Sequence, residues 1–423
     1  MKTTFRRAAI ATLLAMGFSA GAMAREAIPG ASVESFLSVA KEQNPEFASM
    51  RQEAQAAGER IAPAGALPDP KFRVELMDIT KMGEQDPTIL PGNVGSTRYT
   101  FMQDIPWLGK RDLKREIAAL EADAAKGRAL GTWSELASRI KANFAQFYYL
   151  HQSERLTQEI LDLMKRLEQV AQARYASGLV PQQDVVRAQV EQSNMRNELI
   201  ALKNEQRMVQ ARLNTLIARP ANAPLESPQS LRVLPAASQM EFSVLESRVR
   251  EHNPLIFAQN SQFKAAQNTR ELVYKNRYPD LTVGITPVQY GNAIKEWSLM
   301  VELNIPLQQS SRRSQEREAE AMLSAAETRK KVVANQVLSE LAENLSALDA
   351  ARQTEVTTTA SLLPLAELSS KSAMASYETG KVDFTTLLDA QKQIRLAKQI
   401  QIKAQVEAQL RLAEIEKLLG EEL

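Results

Sequence analysis

The sequence predicts a mainly α-helical chain with a small membrane-suited β part, built as a tandem internal repeat of long coiled-coil hairpins. Three observations predict it: the chain is written twice, its helical stretches carry narrow heptad seams, and four short segments alternate strictly between apolar and polar residues.

The duplication is read from recurring landmarks. Glu42-Gln43-Asn44-Pro45 returns as Glu251-His252-Asn253-Pro254, Pro68-Asp69 as Pro279-Asp280, and Pro106 as Pro306. Tyr175-Ala176-Ser177-Gly178 returns 202 residues later as Tyr377-Glu378-Thr379-Gly380, and the same offset carries Val180 to Val382 and Ala188-Gln189 to Ala390-Gln391. The offset falls from 211 at Pro68 to 200 at Pro106, so the first copy holds extra residues where Met82 to Gly95 reads as a loop.

Taken in order, Lys2, Arg6 and Arg7, the apolar run Ala8 to Ala20 and the small residues Ala22-Met23-Ala24 read as a signal peptide over 1–24. The first repeat, 25–218, is expected to hold a helix over Ser32–Ile61, strands near Lys71–Ile79 and Thr97–Ile105, and helices over Lys110–Ala176 and Pro181–Ala218. A Pro-punctuated linker fills 219–239. The second repeat, 240–423, is expected to hold a helix over Phe242–Arg277, strands near Leu281–Thr286 and Ile294–Ile305, and helices over Ser311–Ser376 and Phe384–Leu419.

A helix over 110–176 would be roughly 100 Å long, beyond any single globular core. Its seam Leu156, Ile160, Leu163, Leu167, Val170 and the second copy's Leu338, Leu341, Leu345, Leu348 are narrow, so each helix packs sideways on neighbours and keeps two wet faces. On the helices alone, a soluble rod-like scaffold fits equally well.

The strands decide. Phe72, Val74 and Leu76 oppose Lys71, Arg73 and Glu75; Tyr99, Phe101 and Ile105 oppose Arg98, Thr100 and Asp104. Leu281, Val283 and Ile285 oppose Thr282 and Thr286; Trp297, Leu299 and Val301 oppose Glu296, Ser298 and Glu302. Such strands suit a half-buried sheet in a soluble domain and equally suit lipid on one side and water on the other, in which case outer-membrane lipid is the expected partner of the apolar face. Four strands cannot close a barrel, and open edges are not tolerated in lipid. Three copies would supply twelve strands and a barrel on the order of 25 Å across.

Composition excludes several classes. Without Lys2, Arg6 and Arg7 the charges are 49 basic against 50 acidic, so no general field for nucleic acid exists. No cysteine is present, which removes thiol chemistry, disulfides and a lipid-modified N-terminal cysteine. No phosphate loop, serine elbow or His-Glu-x-x-His occurs, so no enzyme activity, cofactor or metal site is expected. His151 and His252 lack ligand spacing, the 14 Met are scattered, and Phe144, Phe147, Tyr148 and Tyr149 read as interhelical packing.

The repeated Asn-Pro, the strand pairs and the Tyr-x-x-Gly turns, followed by Arg187-Ala188-Gln189 or Asp389-Ala390-Gln391, resemble the TolC family of trimeric outer-membrane efflux channels over nearly all of the chain after the signal segment. The stretch Pro106-Trp107-Leu108-Gly109-Lys110-Arg111 is similar to that of the heavy-metal RND branch. The resemblance implies a TolC-like trimeric α-barrel/β-barrel in the Gram-negative outer membrane with a long periplasmic part. It also implies a homotrimer serving a periplasmic adaptor and an inner-membrane pump, exporting metal cations or small toxic compounds. By the same resemblance, Tyr175, Gly178, Val180, Tyr377, Gly380 and Val382 belong to the periplasmic tip that meets the adaptor. Asp389 falls at an aperture carboxylate, Thr386 replaces another acid, and Asp184 is Thr386's counterpart in the first copy. A type I protein-secretion channel, a periplasmic coiled-coil adaptor and a structural protein remain as alternatives; one hairpin flanked by strand-rich domains would mark the adaptor.

Overall fold

A computed structural model describes residues 28–423; the segment read as a signal peptide lies outside the described residues. The first half runs α1 (Val33–Gln43), α2 (Pro45–Glu59), α3 (Ile61–Gly65), β1 (Lys71–Met77), β2 (Ser96–Ile105), α4 (Lys110–Ala176) and α5 (Gln182–Leu216). The second runs α6 (Phe242–His252), α7 (Pro254–Lys275), β3 (Leu281–Tyr290), β4 (Ala293–Leu303), α8 (Gln309–Thr357), α9 (Leu363–Glu378) and α10 (Phe384–Leu419).

The single opening helix expected in each repeat is broken in two, and the recurring Asn-Pro is the reason. Proline at the first helical position has no N–H to place, and the preceding asparagine caps the new helix. Asn44 accepts from the Phe47 amide at 3.0 Å and Asn253 from the Ile256 amide at 2.8 Å. Each asparagine also donates backwards, Asn44 to the Leu216 carbonyl at 2.8 Å and Asn253 to the Leu418 carbonyl at 2.7 Å. One buried side chain thus starts one helix and satisfies the end of another, α5 in the first repeat and α10 in the second.

The helix expected over Ser311–Ser376 is also interrupted. A π turn spans Thr358–Leu362, just ahead of Pro364. The repeat offset explains it: it grows from 200 at Pro106 to 202 at Tyr175, so the second copy must fit extra residues that the continuous α4 does not carry. A π turn is how a helix absorbs an insertion without unravelling.

The four strands form one antiparallel sheet in the order β1-β2-β3-β4. β3 runs on to Tyr290 instead of stopping at Thr286, although Pro287 lies inside it. Proline cannot donate to a ladder, and the β2–β3 ladder lapses there between Arg98↔Val288 and Phe101↔Ile285. Side chains bridge the lapse: the Thr286 hydroxyl donates to that of Thr100 at 2.9 Å, and the Tyr99 hydroxyl donates to Gln289 at 2.9 Å. β1 stops at Met77 and β4 at Leu303, each two residues short of expectation.

Besides a small alanine cluster of Ala54, Ala125 and Ala129 between α2 and α4, three apolar clusters hold the helices. Phe36, Leu136, Ile140, Phe144 and Phe147 join α1 to α4 with Leu213 of α5; Leu245, Leu341, Leu348, Leu412 and Ile415 join α6, α8 and α10. The third cluster, Leu167, Ala188, Tyr377, Phe384 and Leu387, lies at the far end and joins the two hairpins. No helix among the described residues is long and apolar enough to cross a membrane.

Candidate functional site: hairpin tips and outward sheet face

The sheet has one apolar side. Register aligns Phe72, Phe101, Ile285 and Leu299 in a row across all four strands. Phe72 is 66% and Leu299 74% exposed, values that an aqueous surface would penalise. Val74, Trp297 and Val301 are also exposed, while Leu76, Tyr99, Leu281 and Val283 are half-buried. The opposite side is polar: Asp104 accepts from Lys71 at 2.8 Å and from Thr282 at 2.7 Å. β1 and β4 each keep one edge without a partner strand.

At the other end, both hairpins turn the same way. Gly178 (φ 71°) and Gly380 (φ 74°) take the left-handed conformation that ends a helix cheaply in glycine. Their amides reach back to the carbonyls of Tyr175 and Tyr377 at 2.9 and 3.0 Å, and the next amides, Leu179 and Lys381, to Arg174 and Ser376. Val180 and Val382 are half-buried, Val382 against the third apolar cluster. Asp383 caps α10, accepting from the Thr386 amide at 2.9 Å and its hydroxyl at 2.6 Å; these bonds hold its carboxyl below the usual range.

The repeated tyrosines are not equivalent. Tyr175 is 46% exposed, whereas Tyr377 is 1% exposed and packs on Phe384 at 5.4 Å between centroids. Arg174 lies over the Tyr377 ring and donates to the carbonyls of Tyr377 and Glu378. The Tyr377 hydroxyl is buried without a hydrogen-bond partner. Its phenol is pushed up, first by burial and then by the charge of Asp184.

The three residues at positions read as aperture acids are not brought together. Asp184 is 7% exposed, and burial pushes its carboxyl up against the opposing charge of Arg187. Thr386 and Asp389 are exposed on α10. Sequence reasoning missed Arg174 and Arg187, which tie hairpin to hairpin: Arg187 donates to the Thr385 hydroxyl, and further along Glu191 pairs with Lys392 at 3.1 Å and Glu198 with Arg395 at 2.7 Å. The one available signal is a broken repeat, since the offset of 202 sends Arg174 to Ser376 and Arg187 to Asp389. Among the described residues no group of three or more His, Asp or Glu could hold a metal.

A family model described as outer membrane efflux protein matches residues 36–219 and matches again over 245–421. The chain belongs to the outer membrane efflux protein family. Membership makes it one of the outer-membrane channels of Gram-negative bacteria, and these are channels, not enzymes. Comparison with curated proteins gives no match. Among solved structures the efflux-family fold is shared with the outer-membrane channel OprN at 17% identity, TM-score 0.77, covering 92% of this chain and 89% of that one. It is shared with the outer membrane protein VceC from Vibrio cholerae at 16% identity, TM-score 0.77, covering 92% and 96%. CusC gives 14% identity, TM-score 0.78 and 93% of both chains.

Proposed function

We propose that three copies of the chain close a twelve-stranded barrel and a helical tunnel, forming a passive conduit from the periplasm to the exterior. The observation that carries this is the four-stranded sheet with an apolar outward face and two open edges, which lipid does not tolerate unclosed. The conduit serves a periplasmic adaptor and an inner-membrane pump that supplies the energy. Tyr175, Gly178, Val180, Gly380 and Val382, with Tyr377 packed behind them, form the tip that meets the adaptor.

Each repeat, 25–218 and 240–423, contributes one hairpin, with 219–239 linking them. Three copies of Asp389, exposed on α10, place a ring of like charge in the aperture, which favours cations. Export of metal cations is supported by the stretch Pro106 to Arg111. An outer-membrane fraction run with and without boiling tests the assembly: a resistant oligomer that collapses on heating is expected, and a monomer in both lanes refutes it. A deletion strain challenged with metals, dyes and antibiotics tests the cargo, with hypersensitivity to divalent or soft metal cations expected.

A further inference from the structure

The outward apolar row of β4 does not end with the strand. Trp297, Leu299, Val301 and Leu303 continue with the same period of two into Ile305 and Leu307, all exposed. Ten residue steps at ~3.3 Å, tilted by ~45°, give a band on the order of 23 Å tall, close to the ~25 Å apolar belt of membrane barrels. The band's helix-side rim is therefore the turn between sheet and tunnel, where Leu108 (83% exposed) and Leu307 (80%) project.

That rim is a built aromatic corner. Trp107 follows Ile105 on the outward face of β2 and stacks on Tyr278 at 5.2 Å and 8°. Asp280 fixes the turn, accepting from the Trp107 amide at 2.8 Å and from the buried Lys110 ammonium at 2.8 Å. The other acids around it are also engaged: Asp112 with Arg115, Glu116 with Asn268, and Glu316 with Arg277.

Two lysines at this corner are left over. The Lys275 ammonium sits against Gly109, where an added Cβ would come within 2.3 Å of its nitrogen. Lys114, exposed, lies one turn of α4 beyond the Lys110 that binds Asp280. Among the described residues neither lysine has an ion-pair or hydrogen-bond partner. An aromatic pair at the edge of an apolar band, with unpaired ammonium groups carried by the helices beyond it, matches the layering of an anionic lipid: acyl chain, glycerol region, phosphate.

We infer that Trp107, Tyr278, Lys114 and Lys275 form a binding site for an anionic phospholipid of the leaflet facing the helices, with the two ammonium groups on its phosphate. The inference rests on the channel reading only for the placement of the sheet in lipid. Lys295, at the opposite end of β4, lies too far away to share the site.

Full-length protein in detergent, titrated with phosphatidylglycerol or phosphatidylcholine and followed by native mass spectrometry, tests it. Phosphatidylglycerol is expected to be retained preferentially. The K114Q/K275Q variant loses about fivefold per lysine, near thirtyfold in all, K114R/K275R keeps the preference, and K295Q changes nothing. Equal retention of the two lipids by the unmodified protein overturns the site, as does unaltered phosphatidylglycerol binding by K114Q/K275Q. Displacement of the lipid by millimolar inorganic phosphate, or stronger competition by lipopolysaccharide, also overturns it. Conductance in phosphatidylcholine bilayers, recorded for the same variants, shows separately that each has folded and that the channel reading holds.

Discussion

The Arg174 guanidinium lies 5.0 Å from the centroid of the Tyr377 ring and donates to that residue's own carbonyl, so the first hairpin grips the last turn of the second. The buried Asp184 carboxyl is subject to the charges of Arg187, Asp383 and Arg174. Cation–π contact and charge-assisted bonding reinforce one another in a place that water scarcely enters.

Arg174→Ala removes the ring contact and both carbonyl bonds at once. The tip is then held by the α5–α10 pairs and the third apolar cluster without the guanidinium clamp, and single-channel current in planar bilayers is expected to rise. Current identical to the unmodified protein would show that the grip does not restrain the tip.

Asp184 makes this end pH-sensitive. Its folded value lies above the ordinary 3.8, so the fold favours the protonated acid. The associated stability is complete below 3.8 and is lost as pH rises through the raised value. Asp383 works the other way, its capping contribution being lost as pH falls through its lowered value. In Asp184→Asn the first dependence disappears and the second stays, which hydrogen exchange at the tip amides across pH 3 to 7 resolves.

Asn44→Ala and Asn253→Ala each delete a helix cap and strand a helix-end carbonyl. The cap costs about 1 kcal/mol and the stranded carbonyl about 1–3 kcal/mol. The two sites lie in different repeats, so the double variant is expected to sum the single losses in oligomer melting curves.

Glu416 is a further target. It is buried between Lys141 at 2.8 Å and Arg232 at 2.5 Å, and also accepts from the Leu423 amide at 3.0 Å. Burial alone would raise its carboxyl; the bonds from Arg232 and Lys141 outweigh this and hold it below 4.5. Its stability contribution is therefore present above 4.5 and lost as pH falls through the lowered value. Glu416→Gln leaves Lys141 and Arg232 under-compensated, at a cost of about 3–5 kcal/mol, and should flatten the acid limb of the melting profile.

Charge on the two sides of the sheet should have opposite consequences. Leu299→Lys places an ammonium toward lipid, costing about 2–4 kcal/mol near mid-membrane, and the heat-resistant band should weaken. Ser298→Lys, one residue away on the polar side, should leave that band intact while altering ion selectivity.

Much of this was legible in the letters, and what escaped has physical causes. The period-two alternation of Phe72 to Leu76 and of Trp297 to Val301 marks a face because burial, or its lipid equivalent, acts on every second residue. Asn-Pro was visible as a repeat but not as a helix break, because its backward bond to Leu216 or Leu418 joins positions far apart in the chain. The strand expected to end at Thr286 runs on through Pro287 to Tyr290, and the hydroxyl bridge from Thr286 to Thr100 beside it is again a long-range contact. Tyr175 and Tyr377 share a motif, and only their neighbours decide that one faces water and the other is enclosed.

The π turn at Thr358–Leu362 bears on that inequality. The offset growth from 200 to 202 gives this copy two supernumerary residues, and each would rotate everything beyond it by roughly 100° in a plain α-helix; the wide turn takes up one of them, so α9 is phased differently from the end of α4. Two halves that match in sequence therefore end in two unlike turns: excising one residue from 358–362 is expected to close the wide turn to an ordinary α turn and leave Tyr377 in its socket, whereas excising two would rotate it out.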